Sequence, residues 1–194
     1  MILLSFFLAG AQSAPGYHFK PLKGNAFRGL SILRYDPPMT DITIHYLADK
    51  PAHIETCALW EHQEWGRHGG KTQEQAMTCY DHCKQHGLPL TLVACTPTDE
   101  AVGMVSLWDS DCPVRSDLTP WAASLYEAPG WRGRGVGSRL FIRIHQEARR
   151  LGVVRLYLMT QHSEAVYAAQ GWQSFERIDG PGAMRDAVLM HIDL

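Results

Sequence analysis

Arg132-Gly133-Arg134-Gly135-Val136-Gly137 sets three glycines at alternate positions between two arginines and the start of an apolar stripe. Glycines at that spacing leave backbone N–H groups uncovered and able to converge on one anion. A helix that starts at Val136 adds unpaired donors and the positive end of its dipole. Arg132 and Arg134 bring full charges on either side. Together these residues make a cradle for a phosphorylated ligand. A Rossmann reading fails on spacing, because G-x-G-x-x-G is absent. A metal centre is not expected either. Cys79, Cys83 and His86 share one helix face, but a structural zinc site draws ligands from two segments and no second cluster has the spacing.

The elements around the loop follow from pattern. Trp121 to Glu127 is bulky and apolar and reads as a buried strand, broken by Pro129 and Gly130. Val136, Leu140, Ile144, Ala148 and Leu151, with Phe141 beside them, form a helical stripe that Gly152 ends. Upstream, Ile42, Ile44 and Tyr46 alternate with polar residues and mark a first strand. Pro51 suits a first helical turn, and Ile54, Ala58 and Trp65 give that helix a face. Thr72 and Gln75 have capping-box spacing for a second helix faced by Ala76, Tyr80 and Cys83. Strands are expected at Leu90 to Ala94, Ala101 to Trp108, Val153 to Met159, Gln173 to Ile178 and Ala187 to Ile192. Ser163 is placed to cap a short helix over Glu164 to Gln170. Strands before, between and after helices make a mixed α+β fold.

A chain of 194 residues with 45% hydrophobic and 20% charged residues suits one well-buried domain. The net charge of −2 leaves no basic surplus for nucleic acid. No apolar run is long enough to cross a membrane. Five scattered cysteines, an odd number, fit reduced thiols and a cytoplasmic setting better than a disulfide framework. Residues 1–38 are expected to be a poorly structured extension ahead of a domain over 39–194. Ile2 to Ala9 with Ala9-Gly10-Ala11 is weakly signal-like, but no positive charge precedes it. Met39 would serve as an alternative start.

The loop resembles the R/Q-x-x-G-x-G/A segment of the GNAT superfamily of acetyl-CoA-dependent N-acetyltransferases. Tyr167-Ala168-Ala169-Gln170-Gly171-Trp172 resembles that family's Y-x-x-x-G-F/W segment, one helix and one strand downstream. The resemblance covers roughly Asp41 to Leu194. It implies a single-domain α+β fold with a mixed, mostly antiparallel central sheet flanked by helices. It also implies acetyl-CoA as co-substrate. The pyrophosphate would lie on the amides of Arg132, Gly133, Arg134, Gly135, Val136, Gly137 and Ser138. The pantetheine arm would pair with the strand at Leu125, Tyr126 and Glu127. Ser163 stands near the place of the family's usual Asn, and Glu127 stands where an apolar residue is common. The implied reaction is direct attack of a primary amine, on a small molecule or an amino terminus, on the thioester. Tyr167 would protonate the departing thiolate, help worth about 10² to 10⁴ in rate.

Base candidates are Glu127, Asp109, Asp111 and Glu64, with Glu127 preferred for its place at the end of the central strand. The family's usual acceptor entry points to Trp60, Trp65, Asp111, Arg115 and Asp117 as pocket walls. The partner is then a small-molecule amine, with the chain a monomer or homodimer. The rival reading is a non-catalytic acyl-CoA sensor or partner-binding domain on the same fold.

Overall fold

The computed structural model describes residues 41–194, so the expected extension over 1–38 lies outside the described residues. Seven strands form one sheet: β1 (Thr43–Tyr46), β2 (Leu90–Cys95), β3 (Ala101–Trp108), β4 (Trp121–Glu127), β5 (Arg155–Thr160), β6 (Gln173–Ile178) and β7 (Ala187–Asp193). Four helices accompany them: α1 (Ile54–Glu64), α2 (Gln73–Asp81), α3 (Val136–Arg150) and α4 (Glu164–Ala168). The sheet order is β1-β2-β3-β4-β5-β7-β6. Every neighbouring pair is antiparallel except β4 and β5. This is the single mixed α+β domain expected from the sequence.

Side chains that alternate along a strand serve opposite faces of the sheet. On β2, Leu90, Leu92 and Ala94 join a core with Leu140, Ile144 and Ala148 of α3. Val93 and Cys95 join a second core with Cys57 and Ala58 of α1 and Ala76 and Tyr80 of α2. The helical stripe of α3 is thus buried on one face, and α1 and α2 cover the other. Gly103 on β3 shows how closely the layers approach. A Cβ there would lie 2.8 Å from the Tyr126 carbonyl oxygen and 3.0 Å from Val136 Cγ1.

The capping box holds: Thr72 Oγ1 accepts from Gln75 N at 3.2 Å, and Gln75 Oε1 accepts from Thr72 N at 2.8 Å. Two local expectations are corrected. α2 stops at Asp81, so Cys83 lies beyond it, its thiol donating to Thr91 Oγ1 at 3.1 Å. Ser163 precedes α4 but its side chain makes no cap bond; its N–H donates to Thr160 Oγ1 instead, at 3.1 Å. The stripe of α3 conceals a buried acid, Glu147, which accepts from Arg143 Nε at 2.7 Å and Arg150 Nε at 2.6 Å. Two guanidiniums one turn away on either side hold that carboxyl below its ordinary range despite burial.

Candidate active site

β4 and β5 start side by side and then part. Their only registered pair is Trp121 with Tyr157, with one further bond from Tyr157 N to the Pro120 carbonyl at 3.0 Å. Beyond that point β4 keeps its ladder to β3, where Met104 pairs with Tyr126 and Gly103 with Glu127. The edge of Leu125, Tyr126 and Glu127 toward β5 is left without a strand partner. That edge can pair with an extended ligand arm.

The register of β4 against β3 slips between Met104 and Ser106 of β3. Tyr126 stands opposite Met104 and Ala123 opposite Ser106, so Ser124 and Leu125 share the place of one residue. Ser124 takes φ of 53°, a left-handed conformation uncommon for a residue with a Cβ. The bulge turns its hydroxyl toward α1. Ser124 Oγ donates to Glu61 Oε2 at 2.8 Å and accepts from Trp108 Nε1 at 3.3 Å. Tyr80 OH reaches the same Glu61 oxygen at 3.5 Å, and Lys71 Nζ lies 3.9 Å from Glu61 Oε1. Burial, helped by the charge of Glu61, pushes the Tyr80 phenol well above its usual range. Asp111 belongs to the same neighbourhood. Burial first, and then Glu61, push its carboxyl up to about 7, while Lys71 pulls the other way. Trp60 walls the group by stacking on Tyr126, with ring centroids 4.8 Å apart.

At the far end of β4 the glycine loop turns into α3. Gly133 and Gly135 have φ of 74° and 78°, values glycine reaches without strain. Trp131 and Arg134 stack, the guanidinium 5.1 Å from the ring centroid, and Arg132 Nε donates to the Glu127 carbonyl at 3.2 Å. The helix has no cap from its own first residue, but its amide is not bare. Glu127 Oε1 accepts from Gly137 N at 2.7 Å. The Gly133 amide also acts on this carboxyl, so two cradle amides converge on it. Burial nevertheless leaves the Glu127 carboxyl raised.

The predicted residues therefore separate into groups. Leu125, Tyr126 and Glu127 end β4, and the loop from Arg132 follows them into the first turn of α3, where Glu127 meets Gly137 N. Asp111, Trp60 and Trp65 lie on the α1/α2 side. Arg115 and Asp117 do not join Asp111. They pair with each other, Nε to Oδ1 at 2.9 Å, and Arg115 also binds Glu176 on β6. Asp109 is exposed, and Glu64 acts on Tyr126 rather than on Ser124. Tyr167 packs against Phe141 and Trp172, with centroids 5.5 and 6.1 Å away. Burial pushes its phenol up to about 12, so it keeps its proton at neutral pH. Among the described residues one cluster has metal-ligating types, His53, Cys95 and Asp99, but Lys50 Nζ already holds Asp99 at 2.7 Å.

Sequence reasoning missed Glu61, Tyr80 and Ser124 as site residues. A signal existed for Glu61. It lies three and four positions after Ala58 and Cys57, on the buried stripe of its helix, where an acid is out of place. Nothing in the sequence marks Ser124, whose role depends on a register slip between two strands.

The fold is shared with many solved structures. An acetyltransferase from Streptococcus agalactiae matches with a TM-score of 0.57 at 18% identity, over 80% of this chain and 100% of that one. An acyl-CoA N-acyltransferase from Pseudomonas aeruginosa gives 0.55 at 22% identity, over 78% and 97%. N-acetylglutamate synthase from Neisseria gonorrhoeae, solved with coenzyme A and N-acetyl-glutamate, gives 0.54 at 18% identity, over 79% of this chain and 35% of that one. No curated protein matches at a significant level. The model of the Acetyltransferase (GNAT) family matches residues 41–172, from the start of β1 through the loop and Tyr167 to Trp172. With two thirds of its length matched, strand edge and glycine loop included, the chain belongs to the Acetyltransferase (GNAT) family.

Proposed function

We propose that the chain transfers an acetyl group from acetyl-CoA to a primary amine of a small molecule or an amino terminus. The observation that carries this reading is the continuity of β4. One strand presents an unpaired edge, a loop whose amides converge on an anion, and a bulge bearing a carboxylate-bound hydroxyl. Acetyl-CoA supplies the activated thioester. The loop amides and Arg132 and Arg134 suit its diphosphate, and the edge of Leu125 to Glu127 suits its extended arm. Ser163, buried at the start of α4, offers no cap bond of its own and stays a candidate contact to that arm.

An amine acceptor arrives mostly as ammonium and must lose a proton before it can attack. Glu61 is the group best placed to take it. Its carboxylate is 14% exposed and is oriented by Ser124 and Tyr80. Asp111, close enough to feel its charge, adds negative charge once ionised, and two neighbouring carboxyls favour a cationic acceptor. In this reading the base role passes from Glu127, which the loop holds, to Glu61. Tyr167 retains the role of acid toward the leaving thiolate. Its phenol keeps its proton, and the chain fixes the ring between Phe141 and Trp172.

Calorimetry with acetyl-CoA, paired with a free-thiol assay over a panel of amines, tests the reading. Binding with amine-dependent CoA release is expected. Binding without release from any amine would favour the sensor reading, and no binding at all would defeat both.

A further inference from the structure

The phosphate cradle of this chain already holds an anion, and the anion is its own. Glu127 ends β4 opposite Gly103 and sends its carboxylate over the first turn of α3, where Gly137 N donates to it at 2.7 Å. The approach is so close that a Cβ on Gly137 would collide with the carboxylate. The Gly133 amide bears on the same group from the other side of the loop. Those amides belong to the segment on which the proposed reading seats a diphosphate. Two anions cannot share one small set of donors without strong repulsion, and a helix N-terminus satisfied by a carboxylate offers less to a second ligand.

We propose that Glu127 is a resident competitor of the acyl-CoA diphosphate, which binds only as the Glu127 carboxylate is neutralised by a proton. The inference rests on the acyl-CoA reading and adds to it that affinity is set by this side chain and by pH. The groups facing Glu127 permit the assignment. From the loop come Arg132, whose Nε is turned to the Glu127 carbonyl, and the amide of Gly133. From α3 comes the amide of Gly137, and from β3 the uncharged Gly103. The acid of α1 on this side, Glu64, acts on Tyr126. Among the described groups that act on it, Glu127 is the one whose charge a proton removes, because the Arg132 guanidinium stays protonated and the amides do not titrate.

Binding of dephospho-CoA, measured by calorimetry for the wild type and Glu127→Gln, tests this. That probe keeps the diphosphate and lacks the 3′-phosphate, whose own titration would confuse the result. Glutamine keeps the shape and can still accept from Gly137 N, but carries no charge. At about pH 8 the variant is expected to bind about tenfold tighter than the wild type, and the gap is expected to narrow as pH falls, one proton giving at most about tenfold per pH unit. No gap at the higher pH, or a gap that fails to narrow as pH falls, overturns the proposal. Failure of both proteins to bind at any pH would instead defeat the acyl-CoA reading. Glu127→Val serves as a second variant without charge, and thermal unfolding of each protein confirms that it is folded when binding is measured.

Discussion

Ser124 Oγ donates to Glu61 Oε2 at 2.8 Å, tying a strand bulge to a helix that lies 63 positions earlier in the chain. The bond exists because Ser124 adopts φ of 53° where β4 slips its register against β3. It also fixes the carboxylate at the point where β4 loses β5 as a neighbour.

Glu61→Gln is expected to lower kcat by about 10² to 10⁴ while acetyl-CoA affinity stays within about twofold. Steady-state kinetics at saturating acetyl-CoA, beside calorimetry, separates the two effects. An unchanged kcat would remove Glu61 as the proton acceptor.

Asp111 governs a pH effect. Its folded pKa of about 7 lies above the ordinary value of 3.8, so the folded state holds a proton that the unfolded state has already lost. Stability therefore falls as pH rises from the lower value through the higher one, and the loss is complete above the folded pKa. Asp111→Asn removes this pH dependence. Its stability should gain on the wild type between about pH 4 and 7, the gap reaching about 2 kcal/mol after allowance for partial solvent screening. Thermal melts across that window check the sign.

Tyr167→Phe keeps the ring against Phe141 and Trp172 and removes only the hydroxyl. A fall in kcat of about 10² with acetyl-CoA affinity unchanged is expected if the phenol protonates the thiolate. Single-turnover CoA release measures it, and equal rates would make Tyr167 a packing residue.

Gly103→Ala tests the packing beneath the site. The added Cβ meets the Tyr126 carbonyl at 2.8 Å, a backbone atom that cannot turn aside. A loss of about 1–3 kcal/mol is expected, read from urea unfolding. An unchanged midpoint would show that β3 and β4 shift at little cost.

Much of this protein was legible in its residues. Strands expected over Ala101–Trp108, Trp121–Glu127 and Gln173–Ile178 stand at their observed bounds as β3, β4 and β6, and the 3.6-residue stripe marked α3. Glycine at alternate positions marked the cradle, because glycine adopts without strain the positive φ seen at Gly133 and Gly135. These are local preferences, carried by neighbouring residues, and a linear pattern records them. Tertiary structure decided the rest. Whether Glu127 faced the thioester or the loop depended on which face of β4 met α3, and it faces the Gly137 amide. Whether Asp111 and Arg115 shared a pocket depended on a loop between strands, and the fold sends Arg115 to Glu176 and keeps Asp111 beside Glu61. The meeting of Glu61, Tyr80 and Ser124 rests on the packing of two helices against a bulged strand. Such contacts join residues far apart in the chain, and their partners are chosen by the shape of the whole core rather than by any local run of sequence.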